Sequence, residues 1–114
     1  MMKFIRGDSC PFKIKLQYKD ELKNPVQLND IDTLFVTCKT NSATNSFILF
    51  QKKLNDVEID PEGYCHIVFE PKDTEKLSYG KYVYDIEVTL KNGYRKTYYD
   101  SFEITDETTT HEGK

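Results

Sequence analysis

The residues able to do chemistry in this chain are few and scattered. Two histidines, His66 and His111, and three cysteines, Cys10, Cys38 and Cys65, are the candidates for nucleophilic or metal-binding work. No Cys-x-x-Cys pair occurs, so neither a zinc knuckle nor a redox dithiol is indicated, and buried, reduced thiols without an intrachain disulfide are expected. Cys65 and His66 are adjacent, but neighbours in a strand point to opposite faces, which argues against a dyad. His111 sits among polar residues and is read as solvated. Asp30, Asp32, Asp56, Glu58 and Asp60 could gather at one end of a domain as calcium-binding loops do, yet their spacing matches no EF-hand, and solvated loop charges are the simpler reading. The glycines are isolated from one another, so no phosphate-binding loop is present. Arg6-Gly7-Asp8 spells an integrin-type tripeptide, with Gly7 better explained as the turn before a strand. Nucleophile, base and charge stabiliser do not converge, so no enzyme activity, cofactor or metal is expected.

Charge and hydropathy narrow the partners. Sixteen Lys and Arg against nineteen Asp and Glu give a net charge of -3, without the basic face of a dedicated nucleic-acid binder. No apolar run approaches the roughly 18 residues of a membrane span and no signal-peptide core follows the start, so no membrane partner is expected and synthesis is expected to be cytosolic. A chain of 114 residues suits one domain.

The elements that must position these residues read as strands. Phe12, Ile14, Leu16 and Tyr18 alternate with Lys13, Lys15, Gln17 and Lys19, the period of a half-buried strand. Met2 to Arg6 forms a short edge strand before it, and Lys23-Asn24-Pro25 a turn after it. Leu34, Val36 and Cys38 alternate with Phe35, Thr37 and Lys39, ending in a polar loop over Thr40 to Ser46. Phe47 to Phe50 is an apolar run followed by Gln51, Lys52 and Lys53, which predicts a strand buried at its apolar end and exposed at its cationic one. Val57-Glu58-Ile59, a Pro61-Glu62-Gly63 turn and a strand over Tyr64 to Glu70 come next. Asp73 to Leu77 has the form of one helical turn with Asp73 as N-cap. Lys81 to Leu90 is the strongest strand, and Asn92-Gly93 predicts a type I′ hairpin into Tyr94 to Tyr99. Phe102 and Ile104 close the core, and residues 106–114 form a flexible polar tail beyond a domain spanning 1–105.

Seven to eight short strands and one helical turn predict an all-β, immunoglobulin-like antiparallel β-sandwich, with a small barrel as the alternative. Its most specific sign is Leu77-Ser78-Tyr79-Gly80-Lys81-Tyr82, where Gly80 and Tyr82 occupy the places of a tyrosine corner. Tyr84 then stands where antibody domains carry their second disulfide cysteine, and the chain has no Trp. Eight Tyr and seven Phe exceed the evident needs of the core. Tyr79, Tyr94, Tyr98 and Tyr99 are accordingly candidate interface anchors, against the alternative that they cover sandwich edges.

Phe4-Ile5-Arg6-Gly7-Asp8, Thr33-Leu34-Phe35-Val36, Pro71-Lys72-Asp73-Thr74 with Leu77, Gly80-Lys81-Tyr82-Val83-Tyr84-Asp85-Ile86-Glu87 and Phe102-Glu103-Ile104 together form a pattern. It resembles the immunoglobulin-like domains of tailed-phage and prophage structural proteins, notably the N-terminal domains of upper-baseplate and tail-fibre proteins, over about residues 3–105. The resemblance implies a non-enzymatic virion component made in the bacterial cytoplasm, whose partners are other virion proteins and further copies of itself. Baseplate members continue into a helical linker and a larger C-terminal domain that these residues do not include, so the expected role widens to capsid decoration, head-to-tail joining or a tail ring. The alternative is a carbohydrate-binding or cell-surface adhesion module.

Overall fold

A computed structural model describes residues 2–17, 24–41 and 47–105. The strands are β1 (Met2–Ile5), β2 (Cys10–Lys15), β3 (Ile31–Lys39), β4 (Ile48–Lys53), β5 (Glu58–Ile59), β6 (Tyr64–Phe69), β7 (Gly80–Leu90) and β8 (Arg95–Thr105), with one helical turn, α1 (Pro71–Thr74). They form a five-stranded sheet, β1-β8-β7-β3-β4, and a three-stranded sheet, β2-β6-β5. Every pairing is antiparallel except that of β1 with β8. The order places β8, β7, β3 and β4 as strands G, F, C and C′ of an immunoglobulin-like sandwich, and β2, β6 and β5 as B, E and D.

Alternation builds the core. Tyr82, Tyr84, Ile86, Val88 and Leu90 of β7 are buried, as are Leu34, Val36 and Cys38 of β3 and Cys65, Ile67 and Phe69 of β6. Phe69 lies at the centre of an aromatic cluster, 4.9 Å from Phe50, 5.0 Å from Phe12 and 5.4 Å from Phe102 between ring centroids. Edge-to-face contacts of this kind add about 0.5–1.5 kcal/mol each to the burial of the rings. Phe12 of β2 and Tyr84 of β7 stand 5.3 Å apart across the two sheets, where antibody domains place their B-to-F disulfide. The three cysteines are free and buried; burial pushes the Cys38 and Cys65 thiols up to about 12, and Cys10, helped by Asp8, up to about 11.

Several local expectations change. In β4 the expectation holds only in part: Leu49 and Phe50 pack against the core and Lys53 is exposed, but Phe47 and Ile48 are 80% and 58% exposed and Lys52 is 8% exposed. Lys52 points inward opposite Val36 and its ammonium meets Asp73 of α1 at 2.8 Å, while a bulge at Cys38/Lys39 puts Ile48 opposite Lys39 on the outer side. Asp73 is not the N-cap of α1 but sits at its third position, reaching back to accept from the Glu70 N–H at 2.8 Å. The hairpin turn closes from Gly93 N–H to the Leu90 carbonyl, with a second bond from Leu90 N–H to Tyr94. Lys91-Asn92, not Asn92-Gly93, is thus its central pair. The strand expected through Tyr18 ends at Lys15, with Gln17 bridging Pro25. Tyr18, most of the Thr40 to Ser46 loop and the 106–114 tail lie outside the described residues.

Candidate functional site

At the corner, the Tyr82 hydroxyl donates to the Ser78 carbonyl at 2.7 Å, and its ring stacks on Phe102 at 5.7 Å. Gly80 begins β7 at φ +140, with nothing within 4 Å of where a Cβ would stand. The glycine is set there by its backbone conformation and not by crowding. The neighbouring Tyr79 is half exposed, and Arg6 lies over its ring at 4.4 Å while donating to its hydroxyl at 3.0 Å and to the Leu77 carbonyl at 3.4 Å. Gly7 N–H donates to Thr74 at 3.3 Å. The Arg6-Gly7-Asp8 turn is thereby fastened to the corner.

The four tyrosines singled out in sequence do not share a surface. Tyr94 and Tyr98 are half-buried against the core. Tyr98 stands opposite Ile86 on the inner face, and its hydroxyl accepts from Gln17 N–H at 3.5 Å. Burial raises the Tyr98 phenol above its usual value. Tyr99 points the other way, opposite Asp85 on the outer face of the large sheet, and is 78% exposed.

That outer face holds a trough of about 680 Å³. Across its middle row, the register aligns Tyr99 of β8, Asp85 of β7, Thr37 of β3 and Gln51 of β4. Gln51 donates to the Thr37 hydroxyl at 3.0 Å. Asp85 is about three-quarters buried and has Lys39 at 4.0 Å. Burial holds its carboxyl above the usual carboxylate value, with Glu87 adding to the rise and Lys39 opposing it. Phe35 and Val83 line the floor, and Ile48 the β4 side. Sequence reasoning passed over this face because its residues are the solvent-side half of each alternation. The signal was present in Phe35, an aromatic on the polar phase of its strand.

The remaining candidates are used locally. His66 points away from Cys65, and its Nε2 meets Asp60 at 2.8 Å, an interaction that with two backbone N–H donors holds the Asp60 carboxyl below its usual value. Asp30 accepts from Gln27 N–H, Asp56 from Lys53 N–H, and Asp60 from Glu62 and Tyr64 N–H. These carboxylates cap their own turns. Among the described residues no three His, Cys, Asp or Glu side chains group to hold a metal ion.

No family model matches the chain, and no curated protein matches it. Among solved structures it is similar to CopC from Methylosinus trichosporium OB3b, at 12% identity over 94% of this chain and 87% of that one, with a TM-score of 0.49. Murine CRIg gives 11% identity, coverage of 93% and 90%, and a TM-score of 0.41. The extracellular domain of the voltage-gated sodium channel beta4 subunit gives 11%, 93% and 90%, and 0.42. The strand order and the corner carry the fold assignment, and these distant likenesses add nothing about function.

Proposed function

We propose that this chain is a non-enzymatic structural component of a tailed-phage virion, made in the bacterial cytoplasm and working by protein–protein contact through the outer face of the five-stranded sheet. The observation that carries the contact is the presence of exposed Tyr99 and Ile48 around a trough that also holds the Asp85 carboxylate, on the sheet face opposite the core. The virion setting rests on the resemblance of the Gly-Asp start, the Pro71 to Leu77 turn and the Gly80 to Glu87 strand. Particles from the source strain, purified on a density gradient and analysed by quantitative mass spectrometry, are expected to contain the chain at a fixed ratio to the capsid and tail proteins. A chain left wholly in the lysate would refute the reading.

A second reading, a carbohydrate-binding or adhesion module, is favoured by one observation: Tyr99 and Phe35 share a sheet face with Gln51, Thr37 and Asp85, a ring-plus-polar combination able to meet a sugar. Micromolar binding on an oligosaccharide array, lost in Tyr99→Ser, would favour this reading over assembly.

A further inference from the structure

We propose that Lys52 and Asp73 are the two ends of an intrachain isopeptide bond, which the folded chain forms without another reagent and which fastens β4 to α1 covalently. The bond lies inside the sandwich and is independent of what the outer face meets.

The two side chains are placed as reactants. Each is 10% exposed, and the Lys52 nitrogen lies 2.8 Å from Asp73 Oδ2. A nitrogen at hydrogen-bond distance from a carboxyl oxygen stands about 3.5 Å from the carboxyl carbon, the separation of a near-attack arrangement. The fold holds both partners there. Lys52 stands opposite fully buried Val36, and its nitrogen is 5.9 Å from the ring centre of Phe50, which packs edge-on against buried Phe69. Asp73 is the third residue of the turn that opens with Pro71, and its Oδ2 also accepts from the Glu70 N–H at 2.8 Å. Thr74 next to it is fully buried and accepts from the Gly7 N–H at 3.3 Å. Among the described residues no other ion pair engages either group.

The step balances with no co-reactant. The ammonium passes one proton to the carboxylate, which carries it on Oδ1, leaving a neutral amine beside a carboxylic acid. The nitrogen lone pair then adds to Cγ, and the charge that develops on Oδ2 meets the Glu70 N–H, a donor already aimed at that oxygen. A second proton moves from nitrogen to the Oδ1 hydroxyl, the Cγ–Oδ1 bond breaks with its electron pair on oxygen, and one water leaves. Oδ2 becomes the amide carbonyl, and the third proton stays on nitrogen. Two effects favour this direction. A buried ion pair carries the cost of taking two charges out of water, which a neutral amide relieves, and fixed reactants have effective molarities on the order of 10⁵ M or more, in a site from which water is excluded. Freshly folded chain holds the ion pair, and the amide accumulates from it.

The test is the intact mass of the purified full chain, read by mass spectrometry under denaturing conditions after the folded protein has been held at physiological temperature until its mass no longer changes. The mass is expected to lie one water below that of the 13.4 kDa sequence, and proteolysis should release a branched peptide joining Lys52 to Asp73. Lys52→Arg keeps a cation beside Asp73 but offers a guanidinium that stays protonated, so it should remain at its full sequence mass, as should Asp73→Ala. Circular dichroism shows whether each variant is folded. A wild type at its full sequence mass overturns the proposal whatever the variants do. A missing water that Lys52→Arg shares, or a branched peptide through other residues, overturns it too. Neither result bears on entry into particles, so the bond and the assembly reading stand or fall separately.

Discussion

Two tyrosines two residues apart on β7 should respond in opposite directions to the same change. Tyr82→Phe removes the donor that meets the Ser78 carbonyl at 2.7 Å. The lost bond and the acceptor left behind together cost about 1 to 3 kcal/mol. Tyr84 is 2% exposed, and its buried hydroxyl has no hydrogen-bond partner among the described residues. Tyr84→Phe keeps the ring contacts with Phe12, Phe69 and Phe102 and removes only the desolvated hydroxyl, so it should stabilise the fold by about 1 kcal/mol. Urea unfolding followed by far-UV circular dichroism reads both, since the chain has no Trp and tyrosine emission would change with the substitution itself. At an m-value near 1.2 kcal/mol/M, the Tyr84→Phe midpoint should rise by about 0.8 M and the Tyr82→Phe midpoint fall by at least as much. A pH series adds a second reading. Burial pushes the Tyr84 phenol up to about 12, with the Asp100 charge adding to it. Because the native state holds that proton after the unfolded chain has lost it, stability falls between about pH 10 and 12, and Tyr84→Phe should remove its share of that slope. A Tyr82→Phe change within error of zero would refute the corner. A clear loss in Tyr84→Phe would show that its hydroxyl is satisfied and would refute the reasoning about an orphaned donor.

Lys52→Met should cost about 3 kcal/mol in urea unfolding, because it leaves Asp73 inside without its cation; adding Asp73→Asn should recover much of the loss. Gly63→Ala should destabilise by about 2 kcal/mol or more. Its Cβ would meet the Leu16 carbonyl oxygen and Pro25 at 2.8 Å, on a backbone at φ +89. Asp85→Asn should stabilise the fold at neutral pH, because the native carboxyl titrates above its unfolded value and its ionised form is the disfavoured one. The advantage over wild type should shrink as pH falls through the raised native value toward 3.8. Thiol titration in denaturant without reductant should return three free groups, and two missing thiols would contradict the buried, unpaired cysteines.

What could be read from sequence was whatever depends on neighbours along the chain. Alternation located nearly every strand, and Ser78 to Tyr82 marked the corner because its hydrogen bond spans only four residues. The orientation of β4 could not be read that way. Whether Lys52 points in or out depends on Asp73, which is supplied by α1, and a long amphipathic side chain can bury its stem wherever its ammonium finds a partner. Tyr98 and Tyr99 were grouped by type, although a period of two places them on opposite faces. The alternation of β7 already put Asp85 and Glu87 together on the solvent side; only the cross-strand register brought Thr37, Gln51 and Tyr99 alongside them.

The distribution of fastenings explains why the outer face is free to carry a partner. At one end, Arg6 over Tyr79, Gly7 to Thr74 and Tyr82 to Ser78 tie the β1-to-β2 connection and the start of β7 together. Lys52 to Asp73 joins β4 to α1, and Phe12 against Tyr84 replaces a cross-sheet disulfide with packed rings. Each of these acts on the inner side of the large sheet or at its corner end. None requires Tyr99, Gln51 or Lys53, which are exposed on the other side. Substitutions at Tyr99 and Lys53 should therefore change association while leaving the unfolding free energy within the roughly 0.5 kcal/mol scatter of ordinary surface changes, whereas Gln51 also donates to the buried Thr37 hydroxyl. A loss of stability in Tyr99→Ser comparable to that in Tyr82→Phe would mean the outer face supports the fold, and would remove the ground for assigning it to a partner.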